Sequence, residues 1–179
     1  VARVRHAESA LGGEALTDAV ARSLFKLMAY KDEYEVARLH TQCGFIDELR
    51  RGFEGDFEVR YHLAPPFMPA RKDARGRPRK REFGPWIQTP LNLLARLKFL
   101  RGTPFDLFGH RAERRAEREL IAWYEKQIDM ILGKLSLQNL PDLVAIARAP
   151  LEIRGYGPVK EAAIPKAKAE VARLAQRLA

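Results

Sequence analysis

Apolar residues recur at steps of three and four along much of this 179-residue chain, and this spacing constrains the fold more than any other feature. One such stripe comprises Leu16, Val20, Leu24, Leu27 and Met28. A second, near the C-terminus, comprises Ile164, Ala167, Val171, Leu174 and Leu178. Because this spacing places the side chains on one side of a helix, the chain is expected to fold by packing helices on their apolar sides.

Local end signals divide the chain into separate helices. Asp32, followed three residues later by Glu35, has the pattern of a capping box and predicts a helix over residues 33–41. A helix over residues 45–53 is predicted to carry Phe45, Leu49 and Phe53 on one side. Further helices are predicted over residues 89–101, 110–134 and 141–149. In the longest, the first half is charged and only the second half is expected to be buried. The fold class predicted is mainly α, an irregular helical domain of about six to seven helices.

One segment has the two-residue period of a strand. Phe57, Val59, Tyr61 and Leu63 alternate with polar residues and predict a half-buried strand. Residues 81–86 are expected to return beside it and form one small β-hairpin. Residues 67–81, rich in Pro, Gly and Arg, are predicted to be a flexible basic loop.

Length and composition bound the class of protein. The length suits a single domain over residues 1–179, and 46% hydrophobic residues are too many for a disordered chain. The absence of a long apolar run and of a signal-peptide pattern predicts no membrane partner and a cytoplasmic location. Cys43 is the only cysteine, which excludes an internal disulfide and a cysteine-ligated cluster within one chain.

The net charge of +9 is concentrated between Pro69 and Glu82, where seven basic residues face Asp73 alone. Such a segment either steers an acidic partner, such as a ferredoxin, coenzyme A phosphates, an acidic subunit or RNA, or is a solvated loop. No aromatic residue lies between Arg71 and Arg81 to stack on bases. This absence counts against single-stranded nucleic acid as a partner.

A first candidate site combines Lys31, Asp32, Tyr34 and Arg38. An acid, a base and a phenol within two helical turns suit proton transfer. The alternative is a capped helix start whose charges match the helix dipole.

A second candidate lies on the polar side of the predicted hairpin. Arg60 and His62 from one strand, with Lys80 or Arg81 from the other, are placed to bind an anion. The alternative is an ordinary solvated face, because a strand of period two carries polar residues there in any case.

A third candidate lies before the last helix, at Arg154, Gly155, Gly157 and Lys160. Backbone N–H groups and a lysine at a helix N-terminus can hold a phosphate. The alternative is a tight turn with positive φ at the glycines.

Four segments in order resemble a C-terminal domain, of no assigned detailed role, of indolepyruvate ferredoxin oxidoreductases and related fused 2-oxoacid oxidoreductases. They are LFKLMAYKDEYEVARLH (24–40), RKREFGPW (79–86), RGTPFDLFGHRAERRAERELI (101–121) and IRGYGPVKE (153–161). The resemblance implies a parent enzyme that decarboxylates aryl 2-oxoacids oxidatively. Such a parent uses thiamine diphosphate, Mg²⁺, iron–sulfur clusters and coenzyme A, and passes electrons to ferredoxin.

The resemblance implies no cofactor and no catalytic residue in this chain. The leading hypothesis is therefore an accessory domain, inactive alone, whose expected partner is the remainder of the parent, with ferredoxin as a further candidate. The alternative is a basic nucleic-acid-binding or protein-interaction module. A small hydrolase or lyase using Asp32, Glu33 or His62 is a third hypothesis, but no spacing of residues favours it.

Overall fold

The computed structural model describes residues 1–65, 79–155 and 157–178. These divide into two compact units. Unit 1 comprises Val1–Tyr30 with Arg111–Ala179, and unit 2 comprises Lys31–His110. Folding as a single domain stays a prediction.

Within the described ranges, helices account for most of the regular structure. The α-helices are α1 (Ala2–Ser9), α2 (Ala15–Met28), α3 (Glu33–Thr41), α4 (Phe45–Gly52), α5 (Gln88–Arg96), α6 (Ala112–Gly133), α7 (Leu140–Arg148) and α8 (Pro158–Gln176). Short 3₁₀ helices span Pro85–Ile87, Leu97–Leu100 and Ala149–Glu152. The strands are β1 (Tyr61–Leu63) and β2 (Arg81–Phe83), and they pair antiparallel. The prediction of a mainly α fold with one small hairpin is confirmed.

The core of unit 1 is formed where α2, α7 and α8 bring their apolar sides together. Its fully buried members include Leu16 and Val20 from α2 and Leu143 and Ile146 from α7. Val171 and Leu174 of the C-terminal stripe belong to the same core. The prediction that this stripe packs against other helices of the chain is confirmed.

Unit 2 is built on α3, which packs against α5. Tyr34 and Ala37 of α3 and Ala95 of α5 are buried. A separate small cluster joins the hairpin to the start of α5, through Tyr61, Phe83 and Ile87.

The hairpin is shorter than its sequence pattern predicts. The strand prediction over residues 57–63 is wrong for its first half, because β2 pairs only with Tyr61, His62 and Leu63. Without a paired strand, Phe57 remains 40% exposed. Residues 67–78 of the predicted basic loop lie outside the described residues.

The first half of α6 departs from expectation in another way. Arg114 and Glu117 are both buried, although only the second half was expected to be. The guanidinium of Arg114 lies 5.7 Å from the centre of the Tyr30 ring, and Glu117 pairs with Lys160 of α8. Charged residues can be buried when each meets a partner. No helix in the described part of the chain combines the length and apolarity required to cross a membrane.

Candidate functional site

The start of α3 is fixed by Asp32. Its Oδ1 accepts the backbone N–H of Tyr34 at 2.9 Å and that of Glu35 at 3.4 Å, while Oδ2 pairs with Arg101. Asp32 therefore caps the helix, as predicted, and satisfies two of the N–H groups that a helix start leaves open.

Glu35 has a different role from the one that a capping box gives it. Its Oε1 accepts from Arg38 at 2.6 Å, and its Oε2 accepts from Lys98 at 2.7 Å. These hydrogen bonds with Arg38 and Lys98 lower the pKa of Glu35 to about 2. The carboxylate consequently links α3 to the 3₁₀ helix that follows α5.

Tyr34 is buried and joins α3 to the loop formed by residues 101–110, called the 101–110 loop below. Its hydroxyl donates to Asp106 Oδ1 at 3.3 Å and accepts the N–H of Leu107 at 3.2 Å. The edge of the Phe108 ring also meets Tyr34, with ring centres 5.1 Å apart.

Asp106, also buried, organises the loop itself. Its carboxylate accepts the N–H groups of Gly102 at 2.9 Å, Phe108 at 3.1 Å and Gly109 at 2.9 Å. Burial opposes ionisation, but these hydrogen bonds outweigh it and hold the pKa of Asp106 below its ordinary value. The pKa of Tyr34 is raised by burial. The phenol donates a hydrogen bond to the carboxylate, and the pair ties α3 to the loop.

The four residues of the first candidate site differ from one another in burial and in their contacts. Tyr34 and Asp32 are buried in structural contacts, Arg38 is held by Glu35, and Lys31 is exposed. Sequence reasoning missed Lys98, Arg101 and Asp106. One sequence signal pointed to Asp106. It lies three residues before a glycine in a segment with turn residues, and this spacing is typical of turns that an aspartate side chain caps.

The second candidate site lies on the exposed side of the hairpin. Arg60 is held by two carboxylates, with Nη1 2.5 Å from Glu82 and Nη2 3.2 Å from Glu58. His62 lies opposite Glu82, with its Nε2 3.9 Å from that carboxylate. Lys80 and Arg81 are exposed at the start of β2. Because Glu82 accompanies the basic residues, an anion would have to compete with it, and anion binding here stays a prediction.

The third candidate site is a tight turn before α8. Gly155 has φ +88° and Gly157 has φ +55°, values that favour glycine. Lys160 Nζ lies 2.5 Å from Glu117 Oε2, with only 17% and 10% of the two side chains exposed. Arg154 pairs with Glu152 at 3.1 Å. The predicted basic residues therefore both have carboxylate partners.

A small cleft adjoins this turn. Its volume is about 30 Å³, and its lining residues include Lys160, Glu113, Glu117 and Glu161. A cleft of this size holds one or two water molecules. The carboxylates disfavour an anion electrostatically, so phosphate binding at this turn has no support from the geometry and stays a prediction.

Unit 2 presents many large apolar side chains to solvent. At least 40% of each of the following is exposed: Leu39, Phe45, Phe53, Phe57, Trp86, Leu93, Phe99, Phe105 and Leu107. Helix α4 has no buried residue, so the predicted apolar side bearing Phe45, Leu49 and Phe53 lies largely open. Such side chains mark a protein-binding surface where they form one contiguous patch, whereas singly exposed apolar residues are ordinary.

The model of a family of unknown function, DUF6537, matches residues 1–173. The chain belongs to this family. No curated protein and no solved structure matches it. The DUF6537 match spans both units, including the loop that Asp106 organises and the turn before α8. The family description assigns no activity. Any function therefore has to be argued from the chemistry of the described residues.

Proposed function

We propose that this DUF6537 chain is a non-catalytic accessory domain of a larger cytoplasmic enzyme similar to indolepyruvate ferredoxin oxidoreductase. The parent would decarboxylate aryl 2-oxoacids oxidatively with thiamine diphosphate, using its other domains. This domain would complete the packing of the parent and would be inactive alone.

One observation supports the proposal: polar residues of the resembling segments pair with one another across each unit. Segments 24–40 and 101–121 are joined within unit 2 by the Tyr34–Asp106 hydrogen bond and the Asp32–Arg101 ion pair. Segments 101–121 and 153–161 are joined within unit 1 by Glu117 and Lys160. Side chains committed to buried contacts favour an architectural role over a catalytic one.

We propose that the cofactors of the parent are bound by its other domains. Cys43 is the chain's only cysteine, whereas an iron–sulfur cluster is held by several. We therefore assign thiamine diphosphate, Mg²⁺, the clusters and coenzyme A to the remainder of the parent, with ferredoxin as its electron acceptor.

The test is to express the parent with and without this chain and to measure indolepyruvate-dependent ferredoxin reduction and complex size. Loss of activity together with loss of assembly is the expected result. A full-length parent carrying Asp129→Asn, a change at an exposed surface residue, serves as the control and should behave as wild type.

Two results would contradict the proposal. Retained assembly with lost activity would mean that residues of this chain take part in the catalytic reaction. Unchanged activity and assembly would make the chain dispensable, and RNA binding that weakens steeply with salt would then favour the nucleic-acid alternative.

A further inference from the structure

Polar side chains tie the two ends of unit 2 to each other. The start of α3 lies at one end of this unit and the 101–110 loop lies at the other. Asp32 pairs with Arg101, and the Tyr34 hydroxyl donates to Asp106 at 3.3 Å. We call these four residues the polar clasp. Its two contacts join parts of the chain that are 69 and 72 residues apart.

The helix that carries half of the polar clasp is also linked to the middle of unit 2. Helix α3 packs against α5, and Glu35 of α3 pairs with Lys98, just after α5, at 2.7 Å. Contacts between such distant parts of the chain close long loops at an entropic cost, so each is stable mainly when the others are formed. Opening of the clasp therefore weakens the support of α3 and α5 together.

The apolar core of unit 2 is small. Among the described residues, its buried hydrophobic side chains are Tyr34, Ala37, Tyr61, Phe83, Ile87, Ala95 and Phe108, and α4 contributes none. Unit 1 buries hydrophobic side chains from α1, α2, α6, α7 and α8. A region with few buried apolar contacts opens at a lower free energy than the rest of a protein.

Unit 1 has buried long-range bonds of its own. Ser23 donates to the carbonyl of Ala147 at 2.6 Å, and the Tyr124 hydroxyl donates to the same carbonyl at 2.8 Å. Ser23 and Ala147 are 124 residues apart, so the first bond joins the two chain segments that make up unit 1. Neither bond involves a residue of unit 2.

We propose that unit 2 opens and recloses as one cooperative element while unit 1 stays folded, and that the polar clasp sets how often it opens. Loss of one clasp bond then raises the open population of the whole unit. A ligand that binds only the closed form shifts the same equilibrium towards closure. This inference goes beyond the proposed function and does not depend on it.

Hydrogen exchange in the whole wild-type chain of 179 residues tests this inference. NMR follows individual amides at a series of urea concentrations below the main unfolding transition. We expect the slowest amides of α3 and α5 to converge on one urea dependence. They should exchange at least about tenfold faster than the slowest amides of α2 and α7, because the smaller core opens first.

Two matched variants test the role of the clasp. Tyr34→Phe removes the clasp hydroxyl and should speed exchange in α3 and α5 alike by about fivefold, the scale of one lost hydrogen bond, without changing α2 and α7. Tyr124→Phe is the control, because it removes a buried hydroxyl from unit 1. It should speed exchange in α2 and α7 and leave α3 and α5 unchanged. If circular dichroism shows that Tyr34→Phe does not fold, the wild-type urea series decides.

Two results would overturn this inference. Equal acceleration of α2, α3, α5 and α7 in Tyr34→Phe, or one shared urea dependence in the wild type, would make the chain a single cooperative unit. Acceleration confined to amides beside the clasp, such as Leu107, would mean that the clasp opens without the rest of unit 2. The proposed function is tested separately, by deletion of the chain from the parent.

Discussion

Asp106 accepts backbone N–H groups from Gly102, Phe108 and Gly109 while lying almost wholly out of contact with solvent. Hydrogen bonds to an ionised acceptor are stronger than neutral ones, and they compensate the cost of burying the charge. Asn at this position keeps the shape but has one acceptor oxygen, and its NH₂ group would meet N–H donors.

We therefore expect Asp106→Asn to lower the free energy of unfolding by about 2 kcal/mol, the scale of a buried charged hydrogen bond. Urea unfolding monitored by circular dichroism measures the change. Asp129→Asn is the matched control, because Asp129 is 61% exposed and pairs only with exposed Arg3 among the described residues. It should cost under about 1 kcal/mol. Equal losses in the two variants would show that burial of Asp106 does not matter.

At the level of secondary-structure elements, the α1–α2 junction depends on a carboxylate supplied from outside the capped helix. Glu8 of α1 is fully buried and accepts the N–H groups of Leu16 at 2.8 Å and Thr17 at 2.7 Å, together with the Thr17 hydroxyl at 2.7 Å. Glu14, at the N-cap position of α2, makes no side-chain capping bond. Glu8 thus caps α2 and fixes α1 to it.

Glu8→Gln should destabilise the chain by about 1–3 kcal/mol, because the carboxamide presents a donor to groups that need acceptors. Hydrogen exchange at the amides of Leu16 and Thr17 should accelerate, which localises the effect. Glu14→Gln provides the control, since Glu14 is an exposed glutamate at the same junction. Unchanged exchange at Leu16 in Glu8→Gln would argue that another group caps α2.

The Lys160–Glu117 ion pair links α8 to α6, and its members lie 43 residues apart in the sequence. Lys160→Met leaves Glu117 beside Glu113 and Glu161 in the cleft without its cation. The loss of one partner of a largely buried pair costs up to several kcal/mol, whereas replacing both partners costs less.

We expect Lys160→Met with Glu117→Leu to be less destabilising than the sum of the single variants by about 1 kcal/mol or more. Chemical denaturation of the wild type, the two single variants and the double variant gives this coupling energy. The exposed pair Arg173 and Glu170, taken through Arg173→Met and Glu170→Leu, is the control cycle and should show little coupling. Strict additivity at Lys160 and Glu117 would mean that the ion pair makes no contribution.

For the whole molecule, several carboxylates have a folded-state pKa below the ordinary value. They include Glu8 and Asp106, and Glu35 with a pKa of about 2 against an ordinary 4.5. A carboxylate with a depressed folded pKa binds protons more weakly in the folded chain than in the unfolded one. Its contribution is therefore present above the unfolded pKa and is lost as pH falls through the folded pKa.

The free energy of unfolding should consequently decrease between pH 4.5 and about 2, the window that Glu35 defines. Protonation also adds to a net charge that is already +9, and self-repulsion acts in the same direction. Urea unfolding across this pH range measures the decrease. Glu35→Gln should reduce its slope, and Glu54→Gln, at an exposed glutamate of unit 2, should leave it unchanged. A Glu35→Gln profile parallel to that of the wild type would contradict the assignment.

Each unit has its own apolar contacts, yet the exposed apolar residues are concentrated in unit 2. Periodicity identified the apolar side of α4 through Phe45, Leu49 and Phe53. It could not determine whether another element covers that side, because exposure depends on what the rest of the chain places there.

The sequence by itself determined the local structure. The bounds of α3 were predicted to the residue, because Asp32 carries the capping signal and Cys43 and Gly44 close the segment. The stripe from Ile164 to Leu178 predicted the packed side of α8, and alternation around Tyr61 predicted the hairpin. These features follow from the 3.6-residue and two-residue periods and from the chemistry of helix ends, which operate over a few residues.

Only the tertiary structure decided which charges meet. Lys160 was a candidate for holding a phosphate and is paired with Glu117, Arg60 was a candidate for holding an anion and is paired with Glu82, and Asp106 was not singled out. Each of these contacts joins side chains or backbone whose spacing carries no periodic signal. Their partners are fixed by how helices and loops pack, and so by the burial of apolar surface across the whole of each unit.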